Sequence, residues 1–451
     1  MNMDIIEEFL MDREKRVSHQ DELMKNNKDK TLVTIRVNYP GIEKSNYVTD
    51  DIVNIIYNDI MTYHRKYIVY NDKYKNKEGL VCHFIFKADF VLIKKLMIDI
   101  EEKHPLGRCV DIDVYTYKNE KTIGISRSHL YKAPRKCFIC DLDAKICSRA
   151  QNHSIDEIKD YFNEVYKKYL EVEKKMNEVS YDISQLSMKA MISEVSTFPS
   201  FGLVSPISNG SHKDMDYYTF LDSTMAITPY LKQMAQIGYS YKDLEYIFGA
   251  IRAIGVECEE KMFIATNNIN THKGMIFLMG VCISAVSKNL FEGNGFTNIQ
   301  NIIKDMMKDI LSDFENISLK DKLTHGEKLY LEYGFTGIRG QVKDGISVVF
   351  DNIVPKFENS NLSRNELYIQ ILINLMSIVD DSTVVYRQDI DTLRKVQNDA
   401  KELLKVKDKD RQYKLVEDLE KEYIQKNISP GGCADLLAVS IFMIDIKKIY
   451  Y

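Results

Sequence analysis

The sequence predicts two domains, an α+β domain over residues 1–174 and an all-α domain over residues 175–451. Three observations lead there. The length of 451 residues exceeds one ordinary domain. Gly 20 and Pro 8 make up about half the usual combined share of roughly 12%, so few breakers interrupt long helices. Strand-like alternation is confined to the first part and gives way to helical periods near residue 175.

Residues 5–26 read as a charged helix. Residues 31–37 read as a strand, with Val33, Ile35 and Val37 alternating, and end in the turn Asn38-Tyr39-Pro40-Gly41. Residues 81–86 and 109–117 read as further strands. Residues 135–149 are short, basic and cysteine-rich. Ser154 and Glu157 form a capping box that opens an amphipathic helix reaching to about Asn177. Beyond it, capping boxes at Thr324/Glu327 and Ser363/Glu366 punctuate a helical pattern.

Lys+Arg 61 against Asp+Glu 66 leaves a formal net charge of −5, which argues against a globally basic nucleic-acid binder. The longest apolar run, residues 275–286, is too short to span a bilayer. The acidic start holds no basic region of a secretory signal. The expectation is therefore a cytoplasmic protein with no membrane or nucleic-acid partner. Its eight cysteines are expected to be reduced thiols or metal ligands.

On a strand over residues 109–117, Val110, Ile112 and Val114 point into a core, and Asp111, Asp113 and Tyr115 point the other way. Two adjacent carboxylates suit Mg²⁺ and phosphoryl or nucleotidyl transfer; a solvated strand face is the alternative. Arg108, Arg127, Arg135, Lys136 and Arg149 surround them in sequence. They suit a triphosphate, or a surface salt-bridge network. Cys137-x₂-Cys140-x₆-Cys147-x₅-His153 suits a Cys₃His zinc site, with three small buried thiols as the alternative.

In the second domain, His212, Asp214 and Asp216 share a face if extended, as a metal–phosphate site or as a helix N-terminus. Thr271-His272-Lys273-Gly274 precedes an apolar helix with Thr271 as N-cap. Lys273 opposes the helix dipole there unless an anion binds. His325 opens another helix, and Gly334, Gly337, Gly340 and Gly345 surround Arg339, as a ligand loop or a helix corner. Ser429-Pro430-Gly431-Gly432-Cys433-Ala434-Asp435 is a phosphate cradle or a tight turn.

Two ordered motif sets resemble known families. Arg13-x₂-Arg16-x₃-Gln20, Asn38-x-Pro40-Gly41-x₂-Lys44, Gly107-Arg108-x₂-Asp111-x-Asp113, Ser126-Arg127, Arg135-x-Cys137-x₂-Cys140, Cys147-x-Arg149 and His153-Ser154 resemble the apo-citrate-lyase phosphoribosyl-dephospho-CoA transferases, over residues 5–170. That resemblance implies a nucleotidyltransferase-like fold and transfer of the prosthetic group to a serine of the apo acyl-carrier subunit, with release of pyrophosphate. Asp111 and Asp113 would hold Mg²⁺, and Arg108, Arg127 and Arg135 would neutralise the pyrophosphate. The motifs over residues 180–451, with Glu194 and Gly202 at their start, resemble the triphosphoribosyl-dephospho-CoA synthases. These imply attack of 3′-dephospho-CoA on the ribose of ATP, with adenine leaving. Asp214 and Asp216 would then hold Mg²⁺. Lys273, Gly274, Gly337, Arg339, Gly340, Gly431, Gly432 and Asp435 would bind substrate, with Arg339 also active in the chemistry. Glu194, His212 and His325 are the acid/base candidates. The chain departs from the family pattern at Ser200 (Lys in the family), Ile338 (Ala), Gln341 (Glu) and Cys433 (Ser). An alternative reading therefore keeps one half active and makes the other a degenerate ligand- or carrier-binding module.

Overall fold

The computed structural model describes residues 3–314, 317, 323 and 325–451. It separates into two compact units, Met1–Lys174 and Lys175–Tyr451.

The first unit runs α1 (Met3–Lys25), β1 (Thr31–Val37), α2 (Tyr47–His64), β2 (Ile68–Asn76), β3 (Gly79–Phe86), α3 (Phe90–Lys103), β4 (Val110–Lys118), β5 (Lys121–Ile125) and α4 (Ala144–Ala150), then the start of α5 (Ile155–Val195). The strands form one antiparallel sheet in the order β2-β3-β1-β4-β5. Strand alternation gives the sheet two faces. Val33, Ile35, Phe84, Phe86, Ile112 and Val114 pack against Ile52, Ile56 and Ile60 of α2 and Ile93 and Met97 of α3. On the opposite face, Leu32 and Ile85 cluster with Leu23 and Met24 of α1.

β2 and β5 were not expected, and both are edge strands. Most of β2 is polar or exposed, so it lacks the apolar signature of a buried strand. The β4–β5 turn uses Asn119 and Glu120, both with positive φ (50° and 59°), the backbone of a two-residue hairpin.

The expected capping box of α5 is present: Ser154 N–H donates to Glu157 Oε2 at 2.7 Å and Glu157 N–H to Ser154 Oγ at 3.1 Å. The helix does not stop near Asn177 but continues to Val195. Val179, Ile183, Ala190 and Met191 explain why, since they belong to the core of the second unit.

The second unit continues with α6 (Tyr217–Gly238), α7 (Leu244–Ala265), α8 (Lys273–Glu292), α9 (Asn298–Met306), α10 (His325–Tyr333), α11 (Gly337–Lys343), α12 (Val354–Phe357), α13 (Arg364–Ile378), α14 (Ser382–Arg387), α15 (Ile390–Lys405), α16 (Lys409–Gln425) and α17 (Gly431–Tyr450). The Ser363/Glu366 box caps α13, whereas Thr324 lies outside the described residues. α8 and α17 are apolar nearly all round and form the buried centre, as such helices must in a globular unit. α8 is longer than its apolar run suggested. By length and composition it would cross a membrane, yet 78% of its apolar window is buried inside the protein.

α6 approaches α8 through Gly238, where a β-carbon would stand 2.5 Å from the carbonyl oxygen of Ser284. Gly238→Ala is expected to push α6 from α8 and lower stability by about 1–3 kcal/mol. Urea denaturation followed by far-UV circular dichroism measures it, and an unchanged midpoint would mean the helices do not pack this closely.

Candidate active sites

The first site is built on the polar face of β4 and β1. Asp111 and Asp113 project from β4, and Arg36 lies directly opposite Asp111 across the β1–β4 pairing. Arg36 Nη2 donates to Asp113 Oδ2 at 2.9 Å, and Arg135 Nη1 to Asp111 Oδ1 at 2.9 Å. Burial and the neighbouring Asp113 push Asp111 up to about 6, against the pull of Arg36, Lys44 and Arg108. Burial works against the charge of Arg36, but Asp113 and Asp111 outweigh it and hold the guanidinium above its usual range.

Behind this pair lies a buried ion cluster. Arg16 Nε of α1 donates to Glu78 Oε2 at 2.7 Å, and Arg36 Nη1 reaches Glu78 Oε1 at 3.5 Å. Gln20 Nε2 donates to Thr34 Oγ1 at 2.8 Å. The Arg16 and Gln20 positions of the α1 motif thus fasten the helix over the polar sheet face. A small cavity of about 220 Å³ is lined by Phe9, Arg13, Arg36, Lys44, Glu78 and Asp111 among others.

Sequence reading missed Arg36 and Glu78. Arg36 sits on a strand noted only for its apolar residues, and Glu78 lies in the β2–β3 turn. Of the expected cations, Arg135 touches Asp111 and also Glu101. Arg127 instead pairs with Glu101 and Glu102. Arg108 contacts the carbonyl of Lys136 and stacks on Phe138, 5.5 Å from the ring centre. Lys136 pairs with Asp141, and Arg149 is exposed on α4.

The cysteine-rich segment does converge. One ligand atom from each of Cys137, Cys140, Cys147 and His153 lies within 4.8 Å of all the others.

The second site is a cavity of about 1230 Å³ in the helical unit, lined by Glu194, His212, Asp214, Lys273, Gly274, Gly337, Arg339, Gly431, Gly432 and Asp435 among others. The segment between α5 and α6 is lashed down by Glu420, whose Oε2 accepts from Ser200 N–H at 3.0 Å and Gly202 N–H at 2.9 Å. Gly202, at φ +81°, packs against the Ile428 carbonyl so closely that no β-carbon fits. Ser211 Oγ donates to that same carbonyl at 2.6 Å. This arrangement brings His212 beside the start of α17, where its Nε2 lies 3.2 Å from Ser429 Oγ. Arg387, unremarked in the sequence, braces the histidine at 3.3 Å and donates to the Ser211 carbonyl at 2.7 Å. Burial and Arg387 push His212 down to about 4, so its ring is neutral at pH 7.

Glu194 is buried at the cavity wall, and burial together with Asp435 pushes it up to about 8. Burial and Asp381 push Asp435 to about 8 as well. Asp381 organises two helix starts: its carboxylate accepts from Thr383 N–H at 2.8 Å and Cys433 N–H at 2.8 Å. Gly274 leaves room for Asp435, since a β-carbon there would stand 2.5 Å from Asp435 Oδ2.

Several expectations need correction. Asp216 is the N-cap of α6, with Oδ1 accepting from Thr219 N–H at 2.8 Å, and among the described residues it does not line the cavity with Asp214. Thr271 does not cap α8. That position falls to His272, without a side-chain cap, while Thr271 Oγ1 donates to Ser223 Oγ at 2.7 Å. Lys273 does begin α8, and it is paired with Glu259 at 2.8 Å. Gly340 lies within α11, with Thr336 where a side chain would go, and is not among the described lining residues. Gln341 likewise is not among the described lining residues. His325 begins α10, and its side chain lies outside the described residues.

Comparison with known proteins matches the helical unit to the family of ATP:dephospho-CoA triphosphoribosyl transferases, CitG, over residues 180–450. The chain belongs to that family. Residues 5–169 match a second family, CitX, the apo-citrate lyase phosphoribosyl-dephospho-CoA transferases. A protein named CitXG from Leuconostoc mesenteroides subsp. cremoris is 31% identical over 97% of this chain and 96% of its own length. Another CitXG, from Haemophilus influenzae, is 31% identical over 82% of this chain and 80% of its own. A 2-(5''-triphosphoribosyl)-3'-dephosphocoenzyme-A synthase from Haemophilus ducreyi is 32% identical over 68% of this chain and 99% of its own. This CitG-family chain is a transferase that joins both citrate lyase maturation activities in one polypeptide.

Glu78 tests the first site. Breaking a buried ion pair strands the remaining charge, and Arg16 and Glu78 are only 5% and 4% exposed. Glu78→Ala is expected to destabilise the protein by about 3–5 kcal/mol, read by urea denaturation. A loss below about 1 kcal/mol would mean that water reaches the cluster.

Proposed function

We propose that the helical unit makes 2'-(5''-triphosphoribosyl)-3'-dephospho-CoA from ATP and 3'-dephospho-CoA, and that the first unit, as a nucleotidyltransferase-like domain, transfers the phosphoribosyl-dephospho-CoA group to a serine of the apo acyl-carrier subunit. The observation that carries this reading is the large cavity that combines acids near pKa 8 with a neutral histidine and several cations. Its volume of about 1230 Å³ exceeds the roughly 300–1,000 Å³ of a pocket for one small molecule, which suits two nucleotide substrates.

In the synthase step, the 2′-oxygen of dephospho-CoA bonds to ribose C1′ of ATP as the bond from C1′ to adenine breaks. Glu194, protonated at neutral pH, gives its proton to the departing adenine. His212, kept neutral, orients the attacking hydroxyl, whose proton passes to solvent water as the new bond forms, and Arg387 holds the ring in place. Lys273 and Arg339 take the triphosphate, from the first turns of α8 and α11. The paired glycines Gly431 and Gly432 let the backbone of α17 approach it. Asp214 would hold Mg²⁺ together with phosphate oxygens, since one or two carboxylates suffice for that ion.

In the transfer step, Arg135 and Arg36 orient the two carboxylates through one oxygen each. Arg108 and Lys44 add positive charge for the pyrophosphate that leaves. Asp111 and Asp113 would hold Mg²⁺ through their remaining oxygens, a fit supported by two carboxylates on one face of β4, the oxygen donor set that this ion takes. Bound there, the ion would neutralise charge at the phosphate where the bond breaks.

Incubation of the full chain with ATP, dephospho-CoA and apo-carrier tests the reading, with adenine followed by chromatography and the carrier by mass spectrometry. Asp111→Asn is expected to abolish carrier labelling and leave adenine release unchanged. Loss of both activities in a folded variant would refute the division of labour. Glu194→Gln is expected to slow adenine release by about 10²–10⁴-fold. Labelling from preformed triphosphoribosyl-dephospho-CoA should persist.

The pH dependence has a definite sign. A raised acid pKa keeps Glu194 protonated below about 8, so adenine release should fall as pH rises through that value. A rate that climbs steadily from pH 7 to 9 would show that the working group there is a base.

A further inference from the structure

We propose that Cys137, Cys140, Cys147 and His153 form a structural zinc site that clasps the loop carrying Arg135. Cys140 Sγ lies 3.8 Å from Cys147 Sγ, and His153 Nε2 lies 3.3 Å from Cys140 Sγ. Zinc–sulfur bonds of about 2.3 Å at tetrahedral angles place two sulfurs about 3.8 Å apart. A disulfide would bring them to about 2.05 Å. All four ligand atoms fall within 4.8 Å of one another, the span of a single coordination sphere. Three thiolates and an imidazole suit zinc, whereas Mg²⁺ takes oxygen ligands.

The local backbone is built to present these ligands. Cys137 N–H donates to the Leu142 carbonyl at 2.8 Å, and Ala144 N–H to the Arg135 carbonyl at 2.9 Å. This tight loop brings Cys137 and Cys140 together. Asp143 caps α4, accepting from Lys145 N–H at 2.7 Å, and the first turn of the helix then presents Cys147. Ile139 N–H points at Cys137 Sγ from 3.5 Å.

The segment also needs a staple. Phe138 packs against the core of the first unit, but Ile139, Leu142 and Ile146 are 43%, 51% and 63% exposed, so the rest of the segment makes little core of its own. Small elements without a core are commonly held by a metal or disulfides. The remaining cysteines, Cys82, Cys109, Cys258, Cys282 and Cys433, are each buried and belong to no such cluster among the described residues. The loop begins at Arg135, which reaches Asp111 at 2.9 Å. Zinc would therefore hold the position of that guanidinium, a consequence that rests on the proposed transfer site; the metal itself does not.

The test is elemental analysis of the full chain purified without chelator. About one zinc per chain is expected, and Cys140→Ser and His153→Ala should each fall below about a tenth of an equivalent. Cys258→Ala, in the helical unit, should keep its zinc. Should the ligand variants fail to fold, the wild-type chain still decides: stripped of metal under reducing conditions and titrated with Co²⁺, it should show thiolate charge-transfer and tetrahedral ligand-field bands. Wild-type zinc below about a tenth of an equivalent with no cobalt spectrum would overturn the proposal. So would a Cys140–Cys147 disulfide found by peptide mapping, or zinc retained in folded Cys140→Ser.

Discussion

A carboxylate taken out of water must find a cation or take up a proton, and both units are arranged around that constraint. The first unit answers with arginine. Glu78 is shared by Arg16 and Arg36, Asp113 is held by Arg36, and Asp111 and Glu101 by Arg135. The second unit answers with protons. Glu194 and Asp435 line the cavity of the helical unit, and each is pushed up to about 8. The same residue type is thus paired with arginine in one unit and pushed towards its protonated form by burial in the other.

The supporting structure follows from these needs. α1 lies across the polar face of the sheet because Arg16 and Gln20 find partners there, while Leu23 and Met24 find apolar ones. In the helical unit, glycine lets groups come close: Gly274 admits the Asp435 carboxylate and Gly432 packs against Asp381. Asp381 holds the backbone starts of α14 and α17 at a fixed spacing. Arg387 ties the loop before α6 to that end of the unit.

The residues at which this chain departs from the synthase pattern fall into two groups. Ser200 and Cys433 are buried and joined to Glu420 and Asp381 through their backbone N–H groups, and Ser200 Oγ also donates to the Leu203 carbonyl at 3.1 Å. Ile338 lines the cavity, where a larger apolar side chain narrows the space beside Arg339. Gln341 lies in α11 and is not among the described residues that line the cavity.

Sequence by itself determined the periodic features. Alternation over β4 places Asp111 and Asp113 on one face because strand geometry allows no other outcome, and the Ser154 and Ser363 boxes mark helix starts because their bonds are local. Spacing also brought the cysteines and His153 into one segment of chain. Only the tertiary structure decided the partners. Arg36 meets Asp111 through strand register, Glu78 meets Arg16 from 62 residues away, and Arg387 meets His212 across 175 residues. It also set the burial that pushes Glu194 above the usual carboxylate range. Burial and long-range hydrogen bonding depend on what the folded chain brings alongside a residue, and no local pattern carries that information.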